Sequence, residues 1–474
     1  MAELSNIIKI RDDNNFFKFS VQEKSKDTNE YEIKVEHGNA TWAIKEGKLS
    51  IQELRNRIEP WLTALFQSEH LSLLTGSGLT HAITEIVNKN CLDKTQGKKD
   101  LQVKATSMEK NEYSQFTKCI KTSSKDSAQR AGRKEGNFED EIRTVNELLR
   151  GLDILCCDDE PILSEIRTTL SEQKEKLKNE LESKLRKFAD SILETEKNIV
   201  TQKDISEKAL GILINFLMSF ASRNGTRDRL QIFTTNYDRI LEEGADLAGL
   251  RLLDRFVGSL TPVFRSSRID VDMHYNTPGI RGEPRYLEGV AHYTKLHGSI
   301  DWVQTGSLIR RIGLPLGANT IEPYLEVPGF INCSANQLMI FPNSSKDTET
   351  SGFPFVDMFR DFAAAICRPN STVVTYGYSF GDDHINRVLK DMLSIPSTHL
   401  LIISYDDPLG RIMQFFDSVK RNCQISLLIG PVFSDIENLT NYYLPKSAID
   451  MNSYRLREIL KERYSSIEKK GADE

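Results

Sequence analysis

The sequence predicts an α/β protein: a doubly wound, mostly parallel sheet with a helical insertion and a small N-terminal α+β segment. Three observations carry that prediction. Short apolar runs recur at Leu71–Thr75, Leu230–Thr234, Tyr293–Leu296, Gln337–Phe341, Thr372–Tyr376, His399–Ser404 and Gln424–Ile429, with helical periods between the later ones. Such alternation implies a parallel sheet covered on both faces. A long, charged stretch of helical period separates the first run from the second, and several runs end in glycines or polar side chains.

Residues 1–70 form the N-terminal segment. Phe16–Val21 and Tyr31–Val35 alternate as half-buried strands do, and Leu54, Ile58, Trp61, Leu62 and Leu65 mark a helix over Ile51–Phe66. Leu71–Thr75 breaks into Gly76-Ser77-Gly78 ahead of a helix carrying Ile83, Ile86 and Val87. Residues 95–225 are the insertion. Its first part, Lys98–Lys134, is polar and rich in Lys, Ser and Thr without a sustained period, and reads as a mobile loop. Leu170, Leu177, Leu181, Leu185, Phe188 and Ile192 then step along one helix face, while 14 of the 28 residues Ser171–Asn198 are charged. That pattern describes a long amphipathic helix, packed within the chain or against a partner. Ile205–Ser222 is a more apolar, buried helix. Alternation resumes after Asn224-Gly225, with helices over Val356–Ile366, His384–Met392 and Leu409–Lys420. Arg255–Arg285, with many Arg, Pro and Gly, reads as a surface excursion. Residues 71–94 and 226–445 thus compose one Rossmann-like domain, and 446–474 a charged helical tail.

Composition sets outer bounds. With 474 residues, 39% hydrophobic and 27% charged, the chain is globular and long enough for more than one ordinary domain. A net charge of −6 gives no overall pull toward nucleic acid, so direct binding of nucleic acid is not expected. The longest apolar run, Ile212–Ala221, is interrupted by Asn215 and Ser219 and is too short to span a bilayer. The start, Met1-Ala2-Glu3-Leu4-Ser5, leads into charged and polar sequence instead of an apolar leader. Seven cysteines, an odd number without regular spacing, argue for a reducing compartment, and the expected location is the cytoplasm. No Cys-x-x-Cys pair occurs, whereas structural zinc sites draw on closely spaced ligand pairs, so no metal is expected. Adjacent Cys156-Cys157 reads as a pair of buried helix residues.

The chemistry concentrates at strand ends, where open parallel sheets hold their ligands. Gly76-Ser77-Gly78, between strand and helix, suits either a pyrophosphate cradle or a plain tight turn; a third fingerprint glycine is replaced by His81. Thr234-Thr235-Asn236-Tyr237-Asp238 ends the next strand. Asn236 can hold a water or a ribose hydroxyl and Asp238 can stabilise positive charge on a ribose carbon, or the run is an Asx turn. His297, after an apolar strand and before Gly298, is placed for general-base work or for a structural hydrogen bond. Gly377-Tyr378-Ser379-Phe380-Gly381-Asp382-Asp383-His384 suits ribose or phosphate contact, with Asp382 or Asp383 as a helix N-cap. Ser404-Tyr405-Asp406-Asp407 ends the next strand, where an adenosine can rest.

The sequence Thr-Gly-Ser-Gly, Thr-Thr-Asn-Tyr-Asp, Lys-Leu-His-Gly-Ser and Gly-Tyr-Ser-Phe-Gly-Asp, in that order, resembles the sirtuin-like superfamily. In particular it is similar to bacterial sirtuin-like domains of antiphage defence systems, which hydrolyse NAD+. The resemblance covers roughly residues 71–94 and 226–410. It implies that Gly76, Ser77 and Gly78 line the dinucleotide phosphates. Asn236 and Asp238, with Thr235 beside them, would sit at the nicotinamide ribose, and His297 would be the catalytic histidine. Gly377, Tyr378 and Ser379 would line the ribose-phosphate side, and Asp406 the adenosine. The four-cysteine zinc module of protein-deacylating sirtuins is absent, as is a Gly-Ile-Pro-Asp-Phe-Arg-like segment after the glycine loop. Both departures point away from an acyl-lysine substrate and toward water as acceptor.

The expected activity is therefore an NAD+ glycohydrolase with NAD+ as substrate, acting as an antiphage effector that depletes NAD+ when activated. The resemblance also implies a homo-oligomer and gating by a partner, a HerA-type hexameric ATPase. Two alternatives stand beside it: a non-catalytic NAD+ or ADP-ribose sensor, and a nuclease component of a defence complex, which lacks support from any clustered carboxylate site.

Overall fold

A computed structural model describes residues 5–10, 13, 15–24, 30–38, 44–45, 48–90, 116–130, 136, 138–157, 164–201, 203–223, 227–267, 271–275, 285–327, 333–340, 352–407 and 409–446. The tail expected over 446–474 thus lies almost wholly outside the described residues. Strands β1 (Ser5–Lys9), β2 (Phe17–Lys24), β3 (Glu30–His37), β4 (Ile44–Lys45) and β5 (Lys48–Ser50) precede helix α1 (Ile51–Phe66). β6 (His70–Thr75) runs into α2 (Ser77–Asn90), and the insertion contributes α3 (Thr117–Arg130), α4 (Phe138–Cys157), α5 (Ser164–Val200) and α6 (Lys203–Ala221). β7 (Leu230–Thr234), α7 (Ile240–Leu247) and β8 (Arg251–Leu253) follow, then β9 (Phe256–Val257), β10 (Val263–Phe264), β11 (His274–Tyr275) and β12 (Arg285–Tyr286). The remaining strands are β13 (Val290–Lys295), β14 (Gly298–Thr305), β15 (Leu308–Arg311), β16 (Leu338–Ile340), β17 (Ser371–Tyr376), β18 (His399–Ser404) and β19 (Ile425–Ile429).

Twelve strands form one mixed, mostly parallel sheet in the order β4-β5-β3-β2-β1-β19-β18-β17-β6-β7-β13-β8. Every pairing from β19 to β8 is parallel. Its two faces are buried by alternate residues of the same apolar runs. Leu73, Val374 and Leu401 enter the core on one side, while Leu74, Val373 and Ile402 enter the core on the other. That is why these strands read as continuous apolar runs and not as alternating ones. β1 pairs antiparallel with β19, so the N-terminal strands extend this same sheet. The buried Lys9 fastens the junction: its Nζ donates to the carbonyls of Asn422 at 2.6 Å and Ile425 at 3.0 Å.

Two sequence expectations change. Gln337–Phe341, read with the parallel strands, instead contributes β16 to a separate antiparallel sheet ordered β16-β14-β15-β10-β9. It follows a tight turn at Ala335–Gln337 and pairs with β14, the strand leading on from His297. The polar stretch Lys98–Lys134, read as a mobile loop, includes helix α3; the rest of it is outside the described residues apart from Phe116. The inward face of α3 is Ile120, Ser124, Ser127 and Ala128, so serines carry a helical period that hydrophobicity alone does not reveal. Ser127 Oγ donates to Asp140 Oδ1 of α4 at 2.8 Å.

α5 buries Leu177, Leu181, Leu185, Phe188 and Ile192 in a third core, together with Ile300 and Val303 of β14. The amphipathic helix therefore packs within the chain, against the second sheet. Cys156 and Cys157 are in α4, as a helical pair, but Cys156 is partly exposed.

Candidate active site

Inside the short edge strand β8, the parallel strands lie in the order β13-β7-β6-β17-β18-β19, the 3-2-1-4-5-6 succession of dinucleotide-binding sheets. Chain order reverses between β6 and β17, and the ends of those two strands carry the glycine loops. The loops meet backbone to backbone. Gly76 N–H donates to the Tyr376 carbonyl at 3.0 Å and Gly78 N–H to the Gly377 carbonyl at 3.1 Å. A Cβ on Gly78 would lie 2.5 Å from Gly377 Cα, and Gly377 itself has φ +61°. Glycine is required here for the close approach of two turns. The amides of Gly76 and Gly78 thus already have protein acceptors, and Gly78 and Gly377 form the wall.

That wall bounds a cleft of about 400 Å³ between α2 and the ends of β17 and β18. Ser77, Gly78, Gly377, Tyr378, Ser379 and Asp406 line it, so six of the sequence-predicted residues converge. Burial, with Asp407 nearby, raises the Asp406 carboxyl above its ordinary value. His81, where the fingerprint glycine is missing, also lines the cleft; burial lowers its imidazole against the pull of Asp238 and Glu85. Asp407 lines the cleft as well and caps a helix, accepting the N–H groups of Ile412 at 3.2 Å and Met413 at 3.1 Å. Arg411, on that helix, brings a guanidinium into the cleft, and the absence of a side chain at Gly381 makes its room: a Cβ there would be 2.7 Å from Nη1. The sequence reading did not single out Arg411, whose signal is only its place just after Gly410 at a helix start.

Gly76, Thr235, Asn236, Asp238 and His297 are outside this cleft's lining; the last four stand at the adjoining ends of β7 and β13. Thr80 of α2 ties two of them together. Asn236 Nδ2 donates to Thr80 Oγ1 at 3.0 Å, and the Thr80 hydroxyl donates to Asp238 Oδ2 at 2.7 Å. Asp238 Oδ1 accepts the Ile240 N–H at 3.2 Å, so the Asx-turn reading and the site reading describe one residue. Thr235 contributes its N–H to the Thr75 carbonyl at 3.1 Å, continuing the ladder between β6 and β7. Beneath this run the buried Lys295 Nζ donates to the Asp238 carbonyl at 2.6 Å and to Glu242 Oε1 at 2.7 Å.

His297 belongs to a different network. Its Nε2 lies 2.8 Å from Asp382 Oδ2, linking the β13 end to the turn after β17. Asp382 is the expected N-cap: its Oδ1 accepts the N–H of His384 at 3.0 Å at the start of the helix Asp383–Leu393. The Tyr378 hydroxyl, 3.2 Å from the Asp382 carbonyl, closes the same turn, and burial raises that phenol well above its ordinary value. His297 and the Asn236–Asp238 pair approach through Tyr237, whose ring centroid is 6.4 Å from the imidazole. Thr80, His81, Asp382 and Arg411 are among the residues that the sequence did not assign to the site.

Among the described residues no group of three or more His, Cys, Asp or Glu is arranged to hold a metal ion. No helix there is long and apolar enough to cross a membrane. A family model described as a SIR2-like domain matches residues 230–424. The matched stretch runs from β7 through β18, with Asn236, Asp238, His297, Gly377–Ser379 and Asp406 inside it. SIR2-like domains bind NAD and are NAD-dependent enzymes as a class. Comparison with curated proteins finds no match to the chain. The glycine loop at Gly76 precedes the matched stretch, but β6 lies between β17 and β7 of that domain.

Proposed function

We propose that this chain is an NAD+ glycohydrolase that releases nicotinamide and ADP-ribose. The observation that carries the reading is the pair of linked polar networks, Asn236–Thr80–Asp238 and His297–Asp382, at adjoining strand ends beside a glycine-walled cleft at the switch point. In this reading the cleft takes the adenosine half of NAD+. Asp406 faces the ribose hydroxyls, and Ser77, Ser379 and Arg411 meet the phosphates, the last as a fixed cation.

The nicotinamide ribose would lie against Asn236 and Asp238. Departure of nicotinamide leaves positive charge on the ribose carbon, which the Asp238 carboxylate is placed to stabilise. Asn236 donates its Nδ2 to Thr80, so Oδ1 is the atom it offers to an attacking water. His297 accepts a proton or holds a ribose hydroxyl. As an effector of defence, such an enzyme is held silent until triggered, through self-assembly or a HerA-type ATPase; that extension rests on the resemblance of the motifs.

The test is to incubate the purified full chain with NAD+ and follow nicotinamide by chromatography. His297→Ala and Asn236→Ala are each expected to slow release by about a hundredfold or more. Unaltered rates in both would overturn the assignment, and NAD+ binding without turnover in the wild type, even with its partner, would favour a sensor.

A further inference from the structure

We propose that Asp382 is a positioning residue that holds His297 in its Nε2–H tautomer and so makes Nδ1 the working nitrogen; this rests on the reading of His297 as catalytic. An ionised carboxylate only accepts hydrogen bonds. The 2.8 Å contact with Asp382 Oδ2 therefore requires the proton on Nε2. Asp382 is 3% exposed and sits at the N-terminus of an 11-residue helix, where the positive end of the helix favours its negative charge. Its two oxygens divide the work. Oδ1 accepts the N–H of His384 at 3.0 Å and of Ile385 at 3.5 Å, while Oδ2 faces the imidazole.

The surrounding turn keeps this carboxylate in place. Tyr378 Oη is 3.2 Å from the Asp382 carbonyl and 3.1 Å from Asn386 Oδ1, and Asn386 Nδ2 donates to the Phe380 carbonyl at 3.0 Å. Phe380 holds φ +53°, a conformation that non-glycine residues adopt only when the surroundings impose it. One residue thus joins the ribose-phosphate turn after β17, the start of its helix, and the histidine at the end of β13.

The division of oxygens makes Asp382→Asn informative. The two backbone N–H groups require an acceptor, so the amide oxygen stays at the cap and the NH₂ turns toward His297. A donor opposite Nε2 forces that nitrogen to become an acceptor, and the proton moves to Nδ1. Asn caps helices about as well as Asp, so the fold is retained.

The experiment is long-range proton–nitrogen NMR on the full chain labelled with ¹⁵N-histidine, with His297 assigned by its loss in His297→Ala. The wild type is expected to show Nε2–H at His297 and Asp382→Asn to show Nδ1–H, at nearly unchanged thermal stability. NAD+ turnover should fall by about 10²- to 10⁴-fold while KM changes little. Asp382→Ser, which keeps a capping oxygen but removes the histidine's acceptor, should show neither tautomer exclusively, and it serves if Asp382→Asn does not fold. An Nδ1–H tautomer in the wild type, an unchanged tautomer in Asp382→Asn, or a switched tautomer with full turnover would overturn the proposal. Were the wild type to release no nicotinamide, alone or with a HerA-type ATPase, the glycohydrolase reading would fail while the NMR result alone still decided what Asp382 does.

Discussion

Gly377 shows how much of the site depends on single atoms. Its φ of +61° places it in the left-handed region, and a Cβ would sit 2.6 Å from Gly78 Cα, against backbone that cannot yield. Gly410 has a similar φ of +65° but its Cβ would meet only the Gln414 side chain at 3.8 Å. Gly410→Ala is therefore expected to cost about 1–2 kcal/mol, the left-handed penalty alone. Gly377→Ala adds the collision of the two turns and should abolish measurable NAD+ binding by titration calorimetry, with binding intact in Gly410→Ala. Equal binding in the two variants would mean that the apposed glycine turns do not shape the nucleotide site. The strand-end residues were legible in the sequence because each motif is local: a strand, a turn and a polar side chain within six residues. Their partnerships were not. Thr80 and Asp238 are separated by 158 positions and His297 and Asp382 by 85, and strand order alone makes them neighbours. Asp382 was legible as a cap from the helix that follows it, but its second oxygen had no local signature.

Of the insertion's helices, α5 is the one that touches the strand-end run carrying Asp238 through side chains of its own. Glu196 is fully buried and pairs with Arg239 at 2.6 Å, and it also accepts the Arg239 backbone N–H at 2.8 Å. Phe188 packs edge-on against Tyr237 at 6.0 Å. The insertion thus grips the two residues on either side of Asp238. Glu196→Ala leaves a guanidinium buried without its carboxylate and is expected to destabilise the fold by about 3–5 kcal/mol. Urea unfolding checks this, and a loss below about 1 kcal/mol would show that the contact holds nothing in place. Nicotinamide release should drop as well, since the backbone carrying Asn236 and Asp238 loses its support. The helix itself was legible from its leucine spacing; Glu196 was not, being one charge among 14 in a 28-residue stretch. α3 was missed for the opposite reason, because its buried face is mostly serine and alanine.

Across the whole molecule, the parallel half of the sheet followed from apolar runs alternating with helices. The continuation through β1 into the N-terminal strands did not, because antiparallel addition at an edge leaves no periodic mark beyond the strand itself. The join has a pH consequence. Burial pushes the Tyr31 phenol up to about 12, with Tyr442 and Asp435 adding to the effect. Burial also raises Tyr376 and Tyr443. A folded-state value above the ordinary 10.0 means that the unfolded chain loses its protons first. The stability that Tyr31 contributes is intact below pH 10.0 and is lost as pH climbs through about 12, and Tyr376 and Tyr443 act in the same direction. Tyrosinate absorbance and circular dichroism should therefore change together in an alkaline titration. Ionisation of all 14 tyrosines near pH 10.0 with the circular dichroism unchanged would contradict the burial of these side chains.

The most direct measurement on the central claim, that the glycine-walled cleft and the His297 network form one NAD+-cleaving site, is nicotinamide release by the full chain compared with Gly377→Ala and His297→Ala. A single site predicts that the wild type converts NAD+ to nicotinamide and ADP-ribose, that Gly377→Ala fails through loss of binding, and that His297→Ala binds NAD+ but turns over at about a hundredth of the rate or less. Wild-type turnover retained in either variant would contradict it.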